Sequence, residues 1–187
     1  MLVTHTVGAV LNGGSATRMG SPKGEVELDG VPFIDRAIGT LSLVVSEVVV
    51  CGGAYGGSLP LLPDTTRGVG PLAGLRAALD YASGRPVAVC AVDMPLVSIE
   101  LMRRLSDPQV GRNEVRVAQA NGDGTVQPLC GTYGPGAIDV IDTMLTEGLR
   151  SVHGLLDRLD VSYVGADDSL IVNINTPDDL ERLTTRW

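Results

Sequence analysis

The chain has 187 residues, 44% hydrophobic and 19% charged, which suits one globular domain and argues against a disordered chain. Its net charge of −8, without a Lys/Arg cluster, excludes the basic face with which proteins grip nucleic-acid phosphates. No apolar run approaches the ~20 residues of a bilayer span, and MLVTHTVGAVL lacks a cationic leader region, so a cytoplasmic protein without a membrane partner is expected.

VGAVL (7–11) reads as a buried strand ending in Asn12 and the glycines Gly13 and Gly14. VPFIDRAIGTLS (31–42) places Phe33, Ile34, Ala37, Ile38 and Leu41 at helical spacing. EVVVC (47–51) reads as a second strand, and PLAGLRAALDYA (71–82) as a helix with Pro71 in its first turn and Leu72, Leu75, Leu79 and Tyr81 as core positions. PVAVCAV (86–92) is a third strand, ended by Asp93. This rhythm predicts a parallel sheet covered on both faces. VRVAQA (115–120) and TVQPLCGTY (125–133) read as strands around the turn Asn121-Gly122-Asp123-Gly124. AIDVIDTML (137–145) and VHGLLDRL (152–159) read as helices, and LIVNIN (170–175) as a late strand. Thr176-Pro177-Asp178-Asp179 then starts a helix with a threonine cap and an acid at the third helical position. Neither a repeat nor a linker divides the chain, so one domain over 1–187 is expected.

Cys51, Cys90 and Cys130 lie far apart in apolar surroundings with no CxxC pair, which predicts buried reduced thiols. His5 and His153 stand alone and are expected to be structural or surface residues.

LNGGSATRMGSPKG (11–24) carries the chemistry. Glycines let backbone N–H groups approach a ligand, and Arg18 and Lys23 add positive charge suited to a triphosphate or a departing pyrophosphate. It is not a P-loop, because Gly20 is followed by Ser21 and Lys23 by Gly24. It is not the G-x-G-x-x-G dinucleotide fingerprint either, since Gly13 and Gly14 are adjacent. In open parallel sheets ligands bind beyond the carboxyl ends of the strands, where this loop and Asp93 are expected to meet. An acid there suits Mg²⁺, which binds through one or two carboxylates plus substrate phosphates; the alternative for Asp93 is a helix cap or an ion-paired acid.

The loop resembles the L-[AG]-[AG]-G-x-[SG]-x-R-M-G-x-x-K signature of Rossmann-like nucleotidyltransferases, and among these the molybdenum cofactor guanylyltransferases, the MobA family. The likeness extends through Pro63-Asp64 before GPLAGL (70–75), CAVDMPLV (90–97), QPLCGTY (127–133) and VNINTPDDL (172–180). It implies a three-layer α/β/α fold with a mostly parallel sheet. It also implies GMP transfer from GTP to the phosphate of molybdopterin cofactor, with Mg²⁺, and cofactor-biosynthesis proteins or molybdoenzyme apoproteins as candidate partners. Arg18, Lys23 and Asp93 are then the catalytic residues, with Asp93 the metal ligand. Leu11, Asn12, Gly13 and Gly14 would supply nucleotide contacts, with Asp64, Gly70, Pro71 and Leu72 forming the rest of that wall. Asn173 and Asn175 would orient the metal or the pterin phosphate, or else cap the Thr176 turn. Gln127 and Tyr133 would line the pterin side or pack in the core. The family usually has alanine where this chain has Asn12, whose amide is expected either to touch the base or to tolerate an unusual backbone angle. A cytidylyltransferase using CTP and a non-catalytic nucleotide-binding homologue remain the alternatives.

Overall fold

Continuous apolar runs become the centre of one seven-stranded sheet in the computed structural model, which describes residues 3–13, 21–63, 70–106 and 110–184. The first strand, β1 (Val3–Leu11), is followed by a two-stranded ribbon, β2 (Glu27–Leu28) and β3 (Val31–Pro32). Next come α1 (Phe33–Ser42), β4 (Val45–Cys51), β5 (Leu61–Leu62), α2 (Pro71–Ala82) and β6 (Val87–Ala91). The second half holds α3 (Ile99–Leu105), β7 (Glu114–Ala120), β8 (Val126–Tyr133), α4 (Ala137–Thr146), α5 (Val152–Leu156), β9 (Asp160–Ala166) and α6 (Pro177–Thr184).

The sheet order is β5-β4-β1-β6-β8-β7-β9. Strands β5, β4, β1 and β6 run parallel; β8 is antiparallel to both β6 and β7, and β9 is parallel to β7. From β1 the chain steps to β4 on one side and then returns over β1 to β6 on the other. Both crossovers are right-handed by rule only if α1 and α2 cover opposite faces. Accordingly α1 packs with α3, and α2 with α4. The crevice between β1 and β6 is therefore a topological switch point, where open α/β sheets bind ligands.

The α1 stripe behaves as its spacing predicts: Phe33, Ile34, Ala37 and Leu41 are buried and Ile38 packs against them. Along α2, Leu72, Leu75 and Leu79 are buried, whereas Tyr81 reaches the surface and donates its hydroxyl to Glu47 at 2.9 Å. All three cysteines are buried and outside any disulfide, and burial, aided by the Asp93 charge, pushes the Cys90 thiol up to about 12. His5 and His153 are exposed.

Several expectations need correction. The helix predicted from residue 31 starts at Phe33, because Val31 and Pro32 close the ribbon whose Asp29-Gly30 turn takes positive φ at both residues. The helix predicted over 152–159 ends at Leu156. The segment 170–175 is not a strand: a 3-10 turn covers Asp168–Ile171, and the chain continues extended without joining the sheet. Ile171 and Ile174 are buried while Val172 is exposed, so the apolar run lacks the alternation a paired strand requires. The edge position belongs instead to β9, where only Ala166 is buried and the other side chains are exposed or half-buried, so it gives no continuous apolar signal. Helix α3, capped by the Ser98 hydroxyl, was also not anticipated.

The capping box of α6 forms as predicted. Thr176 Oγ1 accepts the N–H of Asp179 at 3.2 Å, and the Asp179 carboxylate accepts the N–H groups of Thr176 at 2.9 Å and Asn175 at 3.0 Å. The Asn175 N–H, helped by Thr176, holds this carboxyl below the usual aspartate range. A carboxyl depressed on folding contributes its stability above its unfolded pKa and loses it as pH falls through the folded value. Asp179→Asn is therefore expected to flatten part of the stability loss from about pH 4 downward. Urea unfolding at stepped pH checks this: parallel wild-type and variant curves would contradict it.

Candidate active site

The loops after β1 and β6 leave the sheet at one level, since Leu11 stands in register with Ala91 and the Val92 N–H donates to the Leu11 carbonyl at 3.2 Å. This places Asp93 directly beside the start of the glycine loop. Lys23 opens a 3-10 turn, Lys23–Glu25, that brings its side chain back over the same strand ends. Its ammonium donates to Asp93 Oδ2 at 3.0 Å and to Asn175 Oδ1 at 2.5 Å. Three residues singled out separately by sequence are thus joined through one ammonium group. Asp93 is indeed an ion-paired acid, and its partner is the lysine that follows the glycine loop. The two side chains are 17% and 23% exposed, dry enough to strengthen their attraction and open enough to meet a ligand.

Asn175 arrives from the extended segment after the 3-10 turn. The Ile174 side chain is buried, and its N–H donates to the Asp93 carbonyl at 2.8 Å. Asn173 and Asn175 flank this anchor and are exposed. The Asn173 amide donates to Gln127 Oε1 at 3.2 Å, which gathers Gln127 and both asparagines at the edge of the crevice. Residues 173–175 are not part of a strand, but the anchored arm still brings both asparagines to the site. The Thr176 turn is capped by other groups, so the Asn175 amide oxygen serves Lys23.

Tyr133 does not line the crevice. It is fully buried, and its hydroxyl donates to the Pro128 carbonyl at 2.7 Å. The β7–β8 register jumps here from Val117–Gly131 to Ala118–Gln127, leaving Pro128, Leu129 and Cys130 without partners on β7. The tyrosine satisfies a carbonyl that this bulge frees.

The opposite wall is the first turn of α2. Gly70 takes φ +74°, a conformation suited to glycine, and Pro71 follows as the first helical residue. Gly70 and Pro71 are exposed, whereas the Leu72 side chain is fully buried, so only its backbone could meet a ligand. A Cβ on Gly74 would sit 3.3 Å from Leu11 Cδ2 and 3.5 Å from Cys51 Cβ. That close contact presses the helix onto the ends of β1 and β4 and sets its positive N-terminal end at the crevice. Gly13 is exposed, Leu11 is buried, and Asn12 is half-buried with its N–H donated to the Cys51 carbonyl at 2.9 Å. Gly14, Arg18 and Asp64 lie outside the described residues. Asn12 is not among the residues with positive φ, so it is not there for an unusual backbone angle.

Among the described residues no cluster of three or more His, Cys, Asp or Glu side chains could cage a metal. Asp93 fits a cation of another kind. It is a single hard carboxylate, and its pairing with Lys23 leaves lone pairs for an ion that keeps its waters and shares substrate phosphates.

The sequence profile of the MobA-like NTP transferase domain matches residues 8–161. The chain belongs to this family. MobA-like relatives match along almost the full length. A molybdenum cofactor guanylyltransferase of Rhizobium leguminosarum bv. trifolii is 34% identical, with 98% of this chain and 93% of that protein covered. One from Rhodobacter capsulatus is 29% identical, covering 96% and 95%. The crystal structure of molybdopterin-guanine dinucleotide biosynthesis protein A from Archaeoglobus fulgidus superposes with a TM-score of 0.78 at 27% identity, covering 97% of this chain and all of the other. The three-layer MobA-like architecture expected from sequence is thus the one adopted. No helix among the described residues is long and apolar enough to cross a membrane.

Sequence reasoning missed how the MobA-like loops are held in this chain. Gly24 and Gly53 both face Asn12. The visible signal was the second glycine pair, Gly52-Gly53, directly after β4.

Proposed function

We propose that the protein transfers GMP from GTP to the terminal phosphate of molybdopterin cofactor, giving the guanine dinucleotide form and pyrophosphate. The observation that carries this reading is the meeting of Lys23, Asp93 and Asn175 at the switch point of a MobA-like domain. An oxygen of the pterin phosphate attacks the α-phosphorus of GTP. The bond from that phosphorus to the β-phosphate bridging oxygen breaks, and pyrophosphate leaves with the electron pair. The nucleophile is already anionic near neutral pH, so no general base is needed. The barrier lies in bringing anions together, and positioning and electrostatics must lower it.

Lys23 suits that task. An ammonium has three N–H donors. Asp93 and Asn175 take two and aim the group, which leaves one for a phosphate oxygen. Arg18 and Asp64 enter this reading through the motif alone, Arg18 on the triphosphate and Asp64 on the guanine or ribose. Gly13 and the start of α2, through the N–H groups of Gly70 and Leu72, present backbone donors to the nucleotide; Gly14 enters through the motif alone. Asp93 would hold Mg²⁺, which when bound neutralises triphosphate charge. Gln127 and Asn173 face the acceptor.

The test is calorimetric titration with GTP, CTP and ATP, each with Mg²⁺, on wild type and Lys23→Ala, followed by pyrophosphate release with the pterin present. Preference for GTP, weakened at least about tenfold by Lys23→Ala, supports the reading. Preference for CTP moves the chain to cytidylyl transfer. Nucleotide binding without pyrophosphate release makes it a binding homologue.

A further inference from the structure

Asn12 stands where the family usually has alanine, beside the expected position of the base. Its carboxamide is already engaged by the protein. Nδ2 donates to the Ala54 carbonyl, in the loop after β4, at 2.9 Å. A Cβ added to Gly53, which takes φ +63°, would overlap the Asn12 carbonyl oxygen and Nδ2. A Cβ added to Gly24, in the turn that begins with Lys23, would overlap Asn12 Oδ1. Three segments therefore close on one amide: the end of β1, the loop after β4, and the turn that carries Lys23. Two of them come close enough only because their facing residues are glycines. Reading a base edge with an amide uses both its oxygen and its nitrogen toward the base. Here Oδ1 lies against Gly24 while Nδ2 is held by Ala54.

We propose that Asn12 is a positioning residue. Its carboxamide is a spacer between the Lys23 turn and the loop after β4, setting the width of the nucleotide crevice, and it does not select the base. The inference rests on the nucleotide reading of the site.

The experiment compares Asn12→Ala, Asn12→Asp, Gly24→Ala and the double variant Asn12→Ala/Gly24→Ala with wild type. Melting temperature, GTP and CTP affinity, and turnover kinetics are measured for each. Asn12→Ala is expected to weaken GTP and CTP by the same factor, about tenfold, with the loss falling in KM. A mere loss of folded protein would instead lower apparent kcat and leave KM unmoved. Asn12→Asp keeps the volume, loses the donor and sets an oxygen against the Ala54 carbonyl, so it is expected to be no better than Asn12→Ala. Gly24→Ala is expected to be harmful alone and nearly silent beside Asn12→Ala, because the methyl occupies space the carboxamide has left. The proposal is overturned by a change of about tenfold or more in GTP-to-CTP preference in Asn12→Ala, by wild-type behaviour of Asn12→Asp, or by additive effects in the double variant. Wild type binding neither nucleotide would overturn the site reading itself, and this role with it; failure of the variants alone, with wild type binding GTP, sinks only the positioning role.

Discussion

Asp93→Ala is expected to slow guanylyl transfer by about 10²–10³-fold, the usual effect of deleting a preorganised electrostatic group, while the protein stays folded. The ion pair it breaks is partly exposed, so its share of stability is about 1 kcal/mol or less. Its effect on chemistry is larger because Lys23 is aimed from two sides, and removing Asp93 leaves it with Asn175 alone. The same substitution removes the carboxylate proposed to hold the metal. Because Lys23 and Asp93 touch, their losses should not add: Lys23→Ala/Asp93→Ala is expected to be little slower than the slower single variant. Pyrophosphate release and thermal melting decide the matter. An Asp93→Ala enzyme retaining more than about a tenth of wild-type turnover would remove Asp93 from the catalytic set.

Ile174→Ala is expected to cost about 2–4 kcal/mol and to raise KM for the acceptor more than for GTP. The side chain is 1% exposed, so truncation opens a void under the segment it anchors. That segment holds Asn173 against Gln127 and Asn175 against Lys23. Ile174→Val keeps most of the contact and should cost about 1 kcal/mol with a small kinetic effect. Urea unfolding gives the first number, and steady-state kinetics with each substrate varied gives the second. Lost stability with both KM values unmoved would show that the arm supports the fold without serving the site.

What could be read from sequence follows burial. β1, β4 and β6 lie inside the sheet, so their apolar runs were continuous and unmistakable. α2 starts at Pro71 and ends at Ala82, as its proline and apolar period imply. β9 was missed because an edge strand buries little and carries little signal. The run LIVNIN misled because its buried residues, Ile171 and Ile174, are three apart, so the chain docks there without alternating. The site shows the same division. Lys23, Asp93 and Asn175 were each marked by local pattern, but their contact spans up to 152 positions and exists only in the folded sheet. Tyr133 belongs to a motif beside the site, yet it acts from the core on a carbonyl freed by a bulge that local pattern did not reveal.

The distance along the chain between Lys23 and Asn175 also sets an order of events during synthesis. β1 is made first but lies in the middle of the sheet, so both of its neighbours, β4 and β6, must leave the ribosome before it is enclosed. Once β6 and Asp93 have emerged, the lysine and the acid can pair. The asparagine arm is still unmade, and β8, the strand that bears Gln127, comes later too. Such non-local wiring makes folding slow compared with helical bundles.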